Sequence, residues 1–161
     1  MIAWSLDACR ACGSVAAVVV AVPAGHEHGL EGIVTVDGGA TRAESVSNAL
    51  AEVATEFVAI HDAARPLLTA ELLDALVAEL AAHPEADAII AAAPVTDTVK
   101  KVRVEFRVES TQNSTRVSET LDRSELWGAQ QLQAFRTAAL RAALDAHEAA
   151  TDEAMLVEAA G

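Results

Sequence analysis

Phe57-Val58-Ala59-Ile60-His61-Asp62-Ala63-Ala64-Arg65-Pro66 opens on a short apolar run and ends in charge. A run of that length, rich in branched and aromatic side chains, reads as a strand covered on both faces. Asp62 then stands immediately past the strand, at the carboxyl edge of a sheet, where α/β folds collect their ligands.

Working outward, the same alternation of buried strand and helix repeats. Trp4 to Cys12 reads as a helix stopped at Gly13, and Val15 to Val22 as a buried strand. After a loop over 23–32, Ile33 to Val36 forms a short strand, Asp37-Gly38-Gly39 breaks the chain, and a helix runs from about Arg42 to Ala54. Thr69 is the expected N-cap of an amphipathic helix over 70–83, ended by Pro84, and Ala88 to Ala93 is a fourth strand. Helices alternating with buried strands predict an α/β sandwich with a mostly parallel sheet.

From Thr96 the pattern changes. Val102, Val104, Phe106 and Val108 alternate with Arg103, Glu105, Arg107 and Glu109, as a half-exposed strand does. Val117 to Leu121 is its return partner, with a tip at Gln112-Asn113-Ser114. Residues 98–122 are therefore expected to project as a β-arm. Two strands alone are marginal in water, so the arm is expected to pack on a second subunit. Gln133 to Ala150 reads as helix, and Thr151 to Ala160 begins another.

The chain has 161 residues, enough for one domain, and is 52% apolar but only 3% aromatic, so its core is expected to be small and aliphatic. No apolar run reaches the roughly 18 residues of a membrane span, and no secretory signal is visible, which predicts a cytoplasmic protein. Eleven basic against twenty-four acidic residues give a net charge of −13, which argues against nucleic acid and anionic membrane as partners. A phosphate ligand must then be held by a few local cations, a metal ion or backbone N–H groups. Cys9 and Cys12 are too few for a disulfide scaffold and read as small residues on one face of a helix. His26 and His28 flank Glu27 with no evident third ligand. Glu148, Asp152, Glu153 and Glu158 read as a solvated helix face.

Several positions suit chemistry. Gly38-Gly39-Ala40 lies between strand and helix, where glycine permits positive φ and close approach to a ring; an ordinary tight turn is the plainer reading. The Asp62 carboxylate can hold Mg²⁺ or another divalent cation, or simply cap a turn and pair with Arg65. His61 reads as a packed, hydrogen-bonded histidine. Arg123 offers planar, bidentate recognition of phosphate, or a surface pair with Asp122.

Four motifs, in order, resemble the 2-C-methyl-D-erythritol 4-phosphate cytidylyltransferase family. They are Val36-Asp37-Gly38-Gly39-Ala40-Thr41-Arg42-Ala43-Glu44-Ser45-Val46, His61 to Pro66, Ala93-Pro94-Val95-Thr96-Asp97-Thr98-Val99-Lys100, and Leu121-Asp122-Arg123 with Leu126-Trp127. Thr151-Asp152-Glu153-Ala154 matches the family's acidic helix start. The resemblance implies a nucleotide-diphosphosugar-transferase-like, Rossmann-like sandwich, dimeric through its β-arm. It implies transfer of a cytidylyl group from CTP to methylerythritol phosphate, releasing pyrophosphate, in non-mevalonate isoprenoid synthesis. By the same resemblance Gly39, Ala40 and Ser45 contact cytosine, and Ala63 the ribose. Asp62 stands beside metal and phosphates, and Arg65 and Thr98 hold the acceptor. Arg123 is the catalytic candidate, positioning the acceptor phosphate across the dimer.

Departures accompany the resemblance. The family's N-terminal glycine-rich loop, with its arginine and lysine, has no counterpart here, nor does a C-terminal lysine; Gln131-Leu132 stands where the family shows Thr-Pro. The expectation is a single domain clipped at both ends, with little turnover by itself. The alternatives are a non-catalytic nucleotide-binding or dimerisation module, and a related nucleotidyltransferase with another acceptor.

Overall fold

The structure, a computed structural model, describes residues 2–25, 29–30, 32–105, 114–146 and 152–160. The chain divides into two compact units, Met1–Ala91 with Gln131–Gly161, and Ala92–Gln130.

The first unit begins with α1 (Ile2–Ala11), β1 (Val19–Val22), β2 (Val34–Asp37), α2 (Arg42–Ala51), β3 (Phe57–His61) and α3 (Ala70–Ala82). β4 (Ala88–Pro94) leads into the second unit, which holds β5 (Lys100–Glu105), β6 (Ser114–Thr120) and a 3₁₀ turn at Arg123–Glu125. β7 (Trp127–Arg136) returns to the first unit, which closes with α4 (Thr137–Ala146) and α5 (Glu153–Ala160). The cap expected at Thr69 is present: its side chain accepts from Leu72 N–H.

Two sheets form in the first unit. β1 and β2 pair in parallel, Val19 opposite Val34 and Val22 opposite Asp37. β7 lies between β3 and β4, antiparallel to β3, with Val58 opposite Phe135 and Ile60 opposite Gln133. The alternation of side chains along a strand divides this sheet's residues between two cores. Leu132 and Ala134 of β7 pack with Phe57, Ile89, Cys12, Leu73, Leu76 and Leu80, the side of α1 and α3. Phe135 packs with Val58, Ile60, Ile90, Leu50, Leu140 and Ala154, the side of α2, α4 and α5. Helices thus cover both faces of the sheet, the expected α/β sandwich.

Two expectations are corrected. Parallel pairing holds for β1 and β2, whereas β3–β7 and β5–β6 are antiparallel, so the sheet is not mostly parallel. Hydrophobic periodicity reports which faces are covered and is silent on strand direction. Residues 133–136 are strand, not helix. Gln133 and Ala134 favour helix by propensity, but burial between two strands overrides it. Gln133 is 1% exposed, and neither polar atom of its side chain has a hydrogen-bond partner among the described residues.

The second unit contains the arm's hairpin, with Val102 opposite Val117 and a register shift between Lys101 and Val102. Phe106, Val108, Gln112 and Asn113 lie outside the described residues, as do His26, His28 and Glu148.

Cys9 and Cys12 are free thiols packed into the α1–α3 core, and burial pushes both above the usual thiol range. Asp74 on α3 holds the turn after α1: its carboxylate accepts from Ser14 N–H at 3.0 Å, from the Ser14 hydroxyl, and from Cys12 Sγ at 3.0 Å. The Ser14 hydroxyl, with Cys12 and the turn amides, holds the Asp74 carboxyl down to about 2, against 3.8 for a free side chain. A depressed carboxyl stabilises the fold above its unfolded pKa and loses that contribution as pH falls through the folded value. Wild type should therefore exceed Asp74→Asn in urea midpoint at neutral pH, the gap closing between about pH 4 and pH 2. A gap that persists unchanged to pH 2 contradicts this.

Candidate functional site

The site is built on the turn from β2 into α2 and on the end of β3. Thr41 caps α2 in a reciprocal arrangement: its side chain accepts from Glu44 N–H at 3.1 Å, and Glu44 Oε2 accepts from Thr41 N–H at 3.3 Å. Glu44 Oε2 also accepts from Ala40 N–H at 2.6 Å. Ser45 Oγ accepts from Gly39 N–H at 3.0 Å and donates to Thr41 O at 2.9 Å. The amides of Gly39 and Ala40 are thus engaged within the turn, and Ser45 braces it.

The reason for glycine here differs from the expected one. Positive φ occurs at Gly25, Gly29 and Gly32, not at Gly38 or Gly39. A Cβ on Gly39 would instead lie 2.2 Å from Glu44 Cβ and 2.7 Å from its Oε2. The carboxylate that caps the helix occupies that space. Gly39→Ala should lower unfolding stability by about 1–3 kcal/mol in a urea titration, as overpacking does. A loss under about 0.5 kcal/mol, the range of an indifferent surface change, would mean the turn opens freely.

At the end of β3, Asp62 begins a turn in which Arg65 N–H donates to Asp62 O at 2.9 Å. His61, beside it, is half-buried and hydrogen-bonded, as expected: Nε2 lies 3.3 Å from Ser5 Oγ of α1 and 3.0 Å from Arg65 O. The Asp62 side chain meets Arg42, whose Nη2 is 3.3 Å from Oδ1. Arg42 Nη1 pairs with Glu153 Oε1 at the start of α5. Glu153 is 2% exposed, which corrects its reading as part of a solvated face. Asp152 caps α5 through Met155 N–H, and Glu158 is exposed. The hydrogen bond to Glu153, reinforced by both carboxylates' charges, raises Arg42 above the usual guanidinium value.

Arg42, Ser45, His61, Asp62 and Ala63 line a cavity of about 730 Å³, whose walls include Val18 to Ala21 and Val58 to Ile60. Its walls are mostly apolar and take consecutive residues of β1 and β3, so it lies between the two sheets, with Arg42, Ser45 and Asp62 among its polar lining residues. Gly39, Ala40 and Arg65 do not line it. The paired residues Arg42 and Glu153 were not singled out as site residues in the sequence; only the geometry joins positions 111 apart.

Asp62, paired through one oxygen with Arg42, is one of three carboxylates that line the cavity, with Glu52 and Glu56. Among the described residues no group of three or more His, Cys, Asp or Glu could hold an ion alone. One carboxylate with ligand phosphates completing the shell is a donor set magnesium accepts.

The second unit places Thr98 in the loop before β5, exposed. Arg123 opens the 3₁₀ turn and donates from Nη1 to Thr96 O, while Asp122 accepts from Ser124 N–H and its hydroxyl. Arg123 is therefore held by a backbone carbonyl, not by the surface pair with Asp122 that the sequence also allowed.

The sequence matches the family model described as 2-C-methyl-D-erythritol 4-phosphate cytidylyltransferase over residues 1–161. The protein of that name from Dechloromonas aromatica is 46% identical over 77% of this chain and 52% of its own length. The bifunctional enzyme IspD/IspF of Anaeromyxobacter dehalogenans is 45% identical over 94% of this chain and 40% of its own. The chain thus spans about half the length, or less, of these curated relatives. Among solved structures, the cytidylyltransferase of that name from Thermus thermophilus superposes with a TM-score of 0.76 at 32% identity, covering 98% of this chain and 72% of its own. A 4-diphosphocytidyl-2C-methyl-D-erythritol synthase gives 0.79 at 33% identity, covering 99% and 76%.

Proposed function

This chain belongs to the 2-C-methyl-D-erythritol 4-phosphate cytidylyltransferase family, and on that premise we propose that it transfers a cytidylyl group from CTP to 2-C-methyl-D-erythritol 4-phosphate, releasing pyrophosphate in non-mevalonate isoprenoid synthesis. The observation that carries the proposal is that Ser45 from the braced turn, Arg42, Asp62 and Ala63 line one cavity of the first unit.

The Gly39 and Ala40 amides are engaged inside the turn, and of the three residues expected at the base only Ser45 lines the cavity, so the base is read at the turn's edge, by its carbonyl oxygens. These accept from the exocyclic amine of cytosine, a donor that uracil lacks. Ala63 packs on the ribose, and Asp62 faces the phosphates. Asp62 is also the residue that would hold Mg²⁺ or another divalent cation, which when bound would neutralise triphosphate charge. In the reaction an acceptor phosphate oxygen attacks the α-phosphorus in line, and the bond to pyrophosphate breaks. Arg65 supplies a cation for phosphate at the β3 edge. On the second unit Thr98 and Arg123 serve the acceptor, the Arg123 guanidinium matching two phosphate oxygens at once.

The protein acts as a cytoplasmic homodimer joined through the β5–β6 hairpin. Supporting this, the cross-strand partners Val102 and Val117 are 50% and 55% exposed, an apolar pair for a second copy to cover. No helix of the described residues is long and apolar enough to cross a membrane.

The test is pyrophosphate release with CTP, Mg²⁺ and a panel of sugar and alcohol phosphates. Release is expected with methylerythritol phosphate above all others, at the low turnover expected of this chain by itself. Arg123→Lys should raise the acceptor KM about tenfold, the worth of one charge-assisted contact. Equal rates with unrelated acceptors, or an unchanged KM, would contradict the assignment.

A further inference from the structure

We propose that Arg42 is a positioning residue of the nucleotide cavity, fixed by the buried Glu153 and in turn fixing the Asp62 carboxylate. This deepens the reading above and rests on it.

Glu153 is the first residue of α5. A carboxylate that is 2% exposed is costly unless paired, and its Oε2 has no hydrogen-bond partner among the described residues. The Arg42 contact through Oε1 therefore has to hold, because losing it would leave a buried charge uncompensated. Guanidinium is planar, so anchoring Nη1 on Glu153 sets where Nη2 lies. It lies 3.3 Å from Asp62 Oδ1. Asp62 itself follows β3 in a turn, where a lone carboxylate has several rotamers open to it. The fork selects one.

Arg42 is also the first residue of α2, directly after the cap Thr41. The turn assigned to the base and the carboxylate assigned to the phosphates are thus joined through one side chain. Both sides of its fork face carboxylates, so the trio carries one net negative charge. Such a group orients Asp62 and is poorly suited to capturing a phosphate directly. Its role is geometric, and Glu153, which does not line the cavity, acts through it.

The experiment is calorimetric titration of CTP with Mg²⁺ into wild type, Arg42→Lys, Glu153→Gln and the double variant. Each is measured well below its melting temperature, with circular dichroism confirming the fold. Lysine is a point charge and cannot hold both carboxylates in one plane; glutamine keeps Glu153's shape without its charge. Each single variant should weaken CTP binding by about tenfold, as loss of an orienting partner does. The double variant should be no weaker than the worse single one, because both act along one chain of contacts. Folded single variants that bind like wild type overturn the positioning role alone, as do losses that multiply in the double variant. Wild type that takes up no CTP overturns the nucleotide reading and this inference with it.

Discussion

Arg42→Ala is expected to destabilise the protein by about 3 kcal/mol, the lower part of the range for stripping one partner from a buried ion pair. The lower part applies because the pair is unequal: the Arg42 side chain is 37% exposed while that of Glu153 is 2% exposed. Water can reach the arginine but not the carboxylate, so the penalty is mainly that of a charge left buried at the start of α5. The helix's own N-terminal dipole softens it by about 0.3–1 kcal/mol. Adding Glu153→Gln to Arg42→Ala should recover much of the loss, since a neutral amide tolerates burial better than a carboxylate. Urea midpoints of wild type, single and double variants test this. A single-variant loss below about 1 kcal/mol, typical of exposed ion pairs, would mean Glu153 is solvated after all.

Phe135→Ala is expected to cost about 3–5 kcal/mol, the usual penalty for truncating a buried aromatic residue. Phe135 is 0% exposed on the strand between β3 and β4, and it packs with Leu50, Leu140 and Ala154 on α2, α4 and α5. One ring thus joins three helices to the sheet, and alanine leaves a cavity that none of them can fill without moving from β3. The core around it is otherwise aliphatic, so no neighbouring aromatic residue compensates. Chemical denaturation measures the loss directly. A change below about 1.5 kcal/mol, the range of tolerated volume-conserving swaps, would indicate that this face of the sheet is loosely packed.

Much of this arrangement is legible in the sequence, for identifiable reasons. The run Phe57 to Ile60 and the cap at Thr69 are local signals, and both elements stand as read, β3 extending one residue further to His61. The alternation of Val102 with Arg103 announces the hairpin because each strand there is exposed on at least one face. β7 is different: a strand buried on both faces has no alternation to display, and its glutamines resemble a helix. Glu153 misleads in a similar way. Its acidic neighbours Asp152 and Glu158 suggest a solvated face, and the arginine that buries it lies in a distant helix. At Gly39 it is steric exclusion by Glu44 that calls for glycine, not the backbone angle that the sequence suggested. Of the expected site residues, Ser45, Asp62 and Ala63 share one cavity lining, and Arg65 shares the Asp62 turn. Thr98 and Arg123 belong to the other compact unit.

The proposed function requires the turn before α2 and the end of β3 to bind a cytosine nucleotide together. Parallel calorimetric titrations of CTP and UTP, each with Mg²⁺, examine it most directly. The two ligands differ only at the 4-substituent and N3 of the base, the edge proposed to face the turn's carbonyls. Saturable CTP binding is predicted, with UTP weaker by about tenfold for one unmatched hydrogen bond. Equal uptake of the two nucleotides, or no uptake of either, would contradict it.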